Sequence, residues 1–476
     1  MEWIKVYLLY TIIIPVIAAG LCAVFFLLGR GRIATYIAVS GPTLSLILFS
    51  VSWYMKVGEF ASKNSIAFTY GLDTVALLIA YVVLVVGTIV TWYSLGYMKE
   101  VRPTYYPLLL IIISATMGTV LSYNLAAFYL FFEISTLAAT FLVAYRKGRA
   151  LEAATKFIAL NSIGSSLALL GLILLFINSG TLDITALGSL SRNSAYIISL
   201  LLFVGIGTKI GVVPLHAWVP DSYSEAPTPV SSFLASTVKS ATAFMLIRLI
   251  FAVNPTLDLV LFFIAVTAVI TVGVGALMAY TQKDLKKLLA YSSIEQAGII
   301  VFAIGIGSSA AVTAGIFHII NNMLMKTLIF LCAGAIIMAT KERHIDSLSD
   351  LARKMPVVAA GFIIGAFALS GIPPLNGFLS EYMILQASFQ KGGYYPILGI
   401  VMLIFTLPMF AAYVKVFQKV FFRVDQNQAE KGGEIGYLTT YIIIPIIILS
   451  ILCILLGVYP TLVLDQINKI SLAFLR

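Results

Sequence analysis

Gly207-Thr-Lys-Ile-Gly-Val-Val-Pro-Leu-His-Ala-Trp218 interrupts an apolar run of membrane-spanning length. Glycine and proline stop the helix there, and a lysine and a histidine sit inside the interruption. In a bilayer, non-helical backbone persists only where protein or water covers its polar groups. The segment therefore predicts a broken helix inside a helical bundle. Leu369-Ser-Gly-Ile-Pro-Pro-Leu-Asn-Gly-Phe-Leu-Ser-Glu381 breaks in a similar way. Outward from both breaks the chain falls into apolar runs of about 20 residues, the length that spans a bilayer as a helix.

The whole composition agrees. Of 476 residues, 61% are apolar and only 11% charged, with a mean hydropathy of +1.03. Soluble domains carry about 25% charged residues, so a soluble globular enzyme and a disordered chain are both excluded. No stretch is left for a soluble domain, and the longest polar one, about 423–436, reads as a loop. The net charge of +10 comes from 30 Lys and Arg against 20 Asp and Glu. These basic residues punctuate the apolar runs instead of forming a patch, which fits membrane topology and excludes nucleic acid as a partner. Cys22, Cys332 and Cys453 lie inside apolar runs, so disulfides, CxxC motifs and cysteine-held metals are not expected. Residues 6–28 read as a retained first span, because Leu21 before Cys22 spoils a lipoprotein cleavage pattern.

The expected fold is all-α and polytopic, with about 14 transmembrane helices: 6–28, 33–55, 71–95, 105–122, 124–145, 153–178, 195–213, 229–252, 257–280, 285–306, 310–339, 357–388, 394–421 and 438–462. Loops after odd-numbered spans hold 18 Lys and Arg, among them Arg30, Lys99, Arg146, Lys283, Lys286, Lys287 and Arg343, against 7 on the opposite side. The positive-inside rule then places both termini outside the cytoplasm.

Pro214-Leu-His216 and Pro374-Leu-Asn376 lie 160 residues apart, and Glu133 and Glu295 lie 162 apart. Lys156 and Gly164 are echoed by Lys326 and Gly334, with the same internal spacing of eight. Offsets of this size, five spans long, predict two inverted five-helix repeats with interrupted helices, as in many transporters. The expected organisation is spans 1–3 in residues 1–104, a first repeat at 105–252, a second at 257–421 and a last span within 438–476.

Eight ionisable groups fall within spans: Glu133, Lys156, Lys209, Lys239, Arg248, Glu295, Lys326 and Glu381. Each costs roughly 2.5–3.5 kcal/mol at mid-bilayer on insertion scales. Stability does not favour eight of them; lining a proton or ion route, or pairing, does. Arg248 and Lys156 are also readable as snorkelling residues, since both can lie near helix ends. Glu133 beside a lysine can carry charge, and such a pair is either a proton-release device or a static tie between helices. His216 and His318 are the intramembrane histidines. An imidazole can pass a proton, and it can equally be a satisfied hydrogen-bonding group. No cysteine or carboxylate stands at zinc-ligand spacing from either one. No phosphate loop, haem or other cofactor signature is present, so no cofactor or metal is expected.

With these residues in hand, the chain resembles a known family. Lys209-Ile-Gly-Val-Val-Pro-Leu-His-Ala-Trp-Val-Pro-Asp-Ser-Tyr-Ser-Glu-Ala-Pro-Thr-Pro-Val-Ser231 is similar to the most recognisable motif of the antiporter-like subunits of respiratory complex I, Mrp-type cation/proton antiporters and energy-converting membrane-bound hydrogenases. Asp284–Ile294, Phe317–Leu331 and Gly371–Phe378 agree with the same family, and the resemblance covers about 65–425. It implies that Glu133 is the fifth-span glutamate, Lys209 its seventh-span partner and Lys239 the central eighth-span lysine. It implies further that His318 and Lys326 are eleventh-span relay groups and that Glu381 is the exit group. Lys156, His216 and Glu295 are additional candidates. Two departures stand out. Asn322 replaces a second histidine, and Glu295 replaces a serine, so no family role transfers to Glu295.

The resemblance implies a proton-translocating subunit of a redox-driven, complex I-like or hydrogenase-like assembly. Its expected partners are other integral membrane subunits, small Mrp-like or complex I-like ones among them, with peripheral iron–sulfur subunits and lipid, in the cell membrane. A stand-alone Mrp Na+/H+ antiporter is the alternative. A small-solute transporter and a purely structural membrane arm are the remaining rivals, and the charged axis speaks against both.

Overall fold

The computed structural model describes residues 2–54, 74–99, 101–188, 190–253, 257–423 and 436–471. Most of the loop read at 423–436 lies outside them, as do Lys56 and Lys63, which entered the charge count. Among the described residues the chain is helical, with no strand beyond two isolated bridges, Asn124–Asp183 and Asp284–His344. Twelve described helices are long and apolar enough to cross a membrane. Two shorter apolar helices, Tyr105–Leu121 and Pro356–Leu369, lie where the fourth and twelfth spans were expected.

Burial sorts these helices into a centre and a rim. In Thr228–Val253 and Leu285–Ile306, 94% of the most apolar stretch is buried; in Tyr395–Phe422 only 28% is. The rim helices expose Ile17, Leu277, Leu407 and Ile451. A water-soluble bundle would hide such side chains, whereas hydrocarbon around a membrane protein accepts them. Cys22, Cys332 and Cys453 are free and buried.

Three irregularities interrupt the centre. Helix Arg192–Ile210 ends at Gly211, whose φ of +83° suits glycine, and its amide caps the Gly207 and Thr208 carbonyls. The chain turns helical again at Trp218–Glu225, and Trp218 Nε1 donates to the Thr208 carbonyl at 2.9 Å, closing the break. Helix Pro356–Leu369 likewise stops before Gly371 and resumes at Asn376–Lys391. The restart is held by a reciprocal amide pair: Asn321 Nδ2 donates to the Asn376 carbonyl (3.0 Å), and Asn376 Nδ2 to Asn321 Oδ1 (3.1 Å). The third irregularity is a π-helical turn, Leu234–Val238, immediately before Lys239. Such turns are rare and tend to mark functional sites.

Candidate functional site

Helix Leu285–Ile306 organises the centre. Its Ser293 carbonyl accepts from Lys239 Nζ at 2.6 Å, and its Ser292 hydroxyl accepts from Lys326 Nζ at 2.6 Å. Two lysines from different helices are thus held on successive residues of a third. Both are buried to 1% exposure or less. Glu295 is three residues beyond Ser292, so helical spacing puts it on the same face as Lys326. It is buried and close enough to feel the Lys326 charge. Gln296 Nε2 donates to Glu295 Oε2 at 3.0 Å and to the Leu369 carbonyl, at the edge of the second break, at 3.2 Å.

The long helix Ser309–Thr340 carries His318, Asn322 and Lys326 at spacings of four, one stripe on one face. Asn322 Nδ2 donates to Ser240 Oγ, next to Lys239, at 3.0 Å. His318 Nδ1 meets Ser380 Oγ, next to Glu381, at 2.9 Å. The stripe therefore touches the lysine on one side and the broken helix of Glu381 on the other. Glu381 in turn lies within electrostatic reach of Glu295.

The direct Glu133–Lys209 pair expected from the sequence is not formed. Lys209 Nζ donates to the Phe132 carbonyl (2.5 Å), Ser135 Oγ (2.6 Å) and Thr136 Oγ1 (2.8 Å), and lies 3.8 Å from the Phe132 ring centroid. Residues 132, 135 and 136 share a helix face that 133 does not, so three neutral oxygens use the three ammonium donors. Glu133 stays near enough to act on Lys209 through space, and its buried Oε1 has no hydrogen-bond partner.

Further expected residues fall on both sides of the line. His216 lies in the first break within electrostatic reach of Lys239, its Nδ1 buried and unpartnered. Lys156 is not on the buried line. It is 48% exposed and paired with Glu152 (2.8 Å) and Asp221 (3.0 Å) on the outer surface. Arg248 does not snorkel. It is buried, donating to the Val120 carbonyl (3.1 Å) and Tyr123 Oη (2.6 Å), with its guanidinium over the Tyr123 and Phe244 rings. Lys286, counted from the sequence as a loop charge, is buried and donates to the Ala226 carbonyl at 2.5 Å. Ser292, Ser240, Ser380, Gln296 and the asparagine pair were not singled out from the sequence. For Ser292, Ser240, Ser380, Gln296 and Asn321, a spacing of one or three positions from an ionisable residue was the available signal; Asn376, five before Glu381, carried none.

The central groups occupy similar positions along their helices. Glu133 is ninth of 19 residues in Leu125–Val143, and Glu295 is eleventh of 22 in Leu285–Ile306. Lys239 is twelfth of 26 in Thr228–Val253, and Lys326 is eighteenth of 32 in Ser309–Thr340. Each stands near the middle of its helix. No group of three or more His, Cys, Asp or Glu among the described residues could hold a metal ion.

Fold and site together define a multi-span helical membrane protein with an internal line of ionisable side chains. Residues 122–407 match the NADH:quinone oxidoreductase/Mrp antiporter transmembrane family, and the chain belongs to it as an antiporter-like membrane subunit. It is 34% identical over 364 residues to chain 5 of the NAD(P)H-quinone oxidoreductase of Synechocystis sp., covering 71% of this chain and 53% of that one. It is 30% identical over 463 residues to Na+/H+ antiporter subunit A1 of Staphylococcus aureus, covering 89% and 57%. The chain thus spans little more than half the length of these relatives. Among solved structures, a chain of the membrane-bound sulfane sulfur reductase, an archaeal respiratory membrane complex, superposes with a TM-score of 0.90 at 25% identity, covering 98% of both chains.

Proposed function

We propose that this chain is the proton-translocating subunit of a redox-driven respiratory complex. In this reading protons travel through Glu133, Lys209, Lys239, Lys326, His318 and Glu381, joined by His216, Glu295 and intervening hydroxyls, amides and water. The observation that carries it is the placing of Lys239 and Lys326 on adjacent residues of one buried helix. No single-helix stability argument asks for two buried lysines there, whereas a relay does. The near full-length likeness to the sulfane sulfur reductase chain supports a redox complex as the setting. Driving force would then come from partner subunits carrying the redox centres.

Two inverted repeats, 105–252 and 257–421, give this route its layout, each contributing one broken helix. The Lys and Arg bias supports a cell-membrane orientation with both termini on the extracytoplasmic side. A second reading, a subunit of an Mrp Na+/H+ antiporter, is favoured by the 89% of this chain aligned with the Staphylococcus aureus subunit.

Purifying the complex through a tag on this chain tests both. Iron–sulfur or other redox subunits should co-purify, and sealed vesicles holding the complex should acidify when the electron donor is supplied. Recovery of small membrane subunits alone, with Na+-driven proton movement, would replace the first reading by the second.

A further inference from the structure

Glu295, Gln296 and Glu381 gather at the second break. Gln296 Nε2 bonds Glu295 Oε2 and the Leu369 carbonyl. Two residues past Leu369, Gly371 is so close to Glu381 that a Cβ there would lie 2.6 Å from Glu381 Oε2. Gln296 is 0% exposed. Two buried oxygens in this group have no hydrogen-bond partner, Gln296 Oε1 and Glu381 Oε1. Both are acceptors while Glu381 is ionised, and two acceptors cannot satisfy each other. A proton on one carboxylate supplies the missing donor.

Charge counting leads to the same place. The charged and titratable groups facing this set are Lys326 and Tyr413 beside Glu295, and Glu295 itself beside Glu381. Lys239 and His318 also feel the Lys326 charge, and His318 meets Ser380, next to Glu381, at 2.9 Å. One ammonium with two carboxylates leaves one uncompensated negative charge in a buried site, which is costly. One added proton brings the three groups to zero.

We infer that Glu295 and Glu381 share one proton, and that Glu295 is the relay through which Lys326 hands protons to Glu381. This deepens the proton-translocation reading and rests on it for the direction of transfer. In the transfer step an N–H bond of the Lys326 ammonium breaks and an O–H bond forms on the Glu295 carboxylate. Lysine becomes a neutral amine and glutamate a neutral acid, so the total charge is unchanged. The carboxylate pair then holds two protons. One leaves from Glu381, and the amine takes a proton from the Lys239 side, restoring the starting state.

The test uses the intact complex purified through this chain. Infrared difference spectroscopy across a pH titration should find one protonated carboxyl stretch from this pair at neutral pH. Glu381→Gln should abolish it, because Glu295 then ionises beside Lys326, and Glu295→Gln should shift it, because the proton is then confined to Glu381. Glu295→Asp should keep the band but shift it. Proton transport in sealed vesicles should fall roughly a hundredfold in each Gln variant, the scale of losing a positioned proton-transfer group, and should partly return in Glu295→Asp. A structural role for Glu295 predicts otherwise, since glutamine keeps its shape and its bond to Gln296. Glu295→Gln would then transport like the parent, with the band unmoved, and that result overturns the inference. If Glu295→Gln fails to assemble, an unshifted band in Glu295→Asp overturns it equally. Full transport by a Lys239→Ala complex would sink the translocation reading itself, while the band still reports whether the proton is shared.

Discussion

The two broken helices solve the same problem with opposite chemistry. At the first break the functional groups are basic: Lys209 on the incoming helix, His216 in the turn, and Lys239 across from it. Lys209 is satisfied by three neutral oxygens, and its carboxylate, Glu133, stands aside without touching it. At the second break the acid is on the outgoing helix, and the buried lysine, Lys326, has Glu295 within reach. In the proposed route a lysine held only by neutral oxygens can release its proton and take up another. In the same route Lys326 passes its proton to Glu295, the carboxylate beside it. The two breaks thus present a base-rich and an acid-rich end.

The comparison breaks most easily at its shared centre. Lys239→Ala should remove proton transport, by about a hundredfold or more, in a complex that still assembles; vesicle acidification checks it. Next come the glycines of the two breaks. A Cβ at Gly377 would lie 1.8 Å from the Ala368 carbonyl oxygen, which is backbone and cannot move aside. Gly377→Ala should cost about 1–3 kcal/mol or more, read as a lower thermal midpoint in detergent. At Gly207 the nearest atom would be 3.7 Å away, so Gly207→Ala should be neutral or stabilise by up to about 1 kcal/mol. Equal losses at both would mean that the first break is as tightly closed as the second.

A double-mutant cycle on Glu133 and Lys209 sharpens the contrast further. Electrostatic influence without contact predicts a double variant less impaired than the sum of the singles, with a coupling of roughly 0.5–3 kcal/mol. Strict additivity in transport and stability would separate the two residues altogether.

The smallest effect lies outside the membrane. The Lys419 ammonium bonded to Asp346 holds that carboxyl below its ordinary value. A depressed value in the folded state stabilises above the unfolded carboxylate value, about 3.9, and that contribution fades as pH falls through the folded one. The pair is exposed, so Asp346→Asn should change stability by less than about 1 kcal/mol at neutral pH. It should flatten the pH dependence of the thermal midpoint only on the acid side.

Much of this is legible in the sequence. Apolar runs of fixed length and Gly–Pro interruptions report directly on hydrocarbon and on backbone, so spans and breaks could be read. Facing directions could not. Lys156 and Lys209 look alike within apolar runs, yet one points outward. The Glu152–Lys156 spacing of four was the local hint that it had a surface partner. Lys286 sits at the edge of a run and reads as a loop residue, but the turn at Ala226 covers it. Nothing in Leu234-Ala-Ser-Thr-Val238 signals a π turn, because the extra residue per turn is set by packing around it and not by residue type.

The mid-helix position of Glu133, Lys239, Glu295 and Lys326 has an electrical meaning. Groups at one depth lie on nearly one equipotential of the transmembrane field. In the proposed route, a proton passing from Lys239 to Lys326 and on to Glu295 moves sideways and does almost no electrical work. The membrane voltage, about 2.3 kcal/mol per charge per 100 mV over the full thickness, falls instead on the steps that bring protons up to this level and let them leave. Membrane potential should therefore slow uptake and release while leaving the internal transfers untouched.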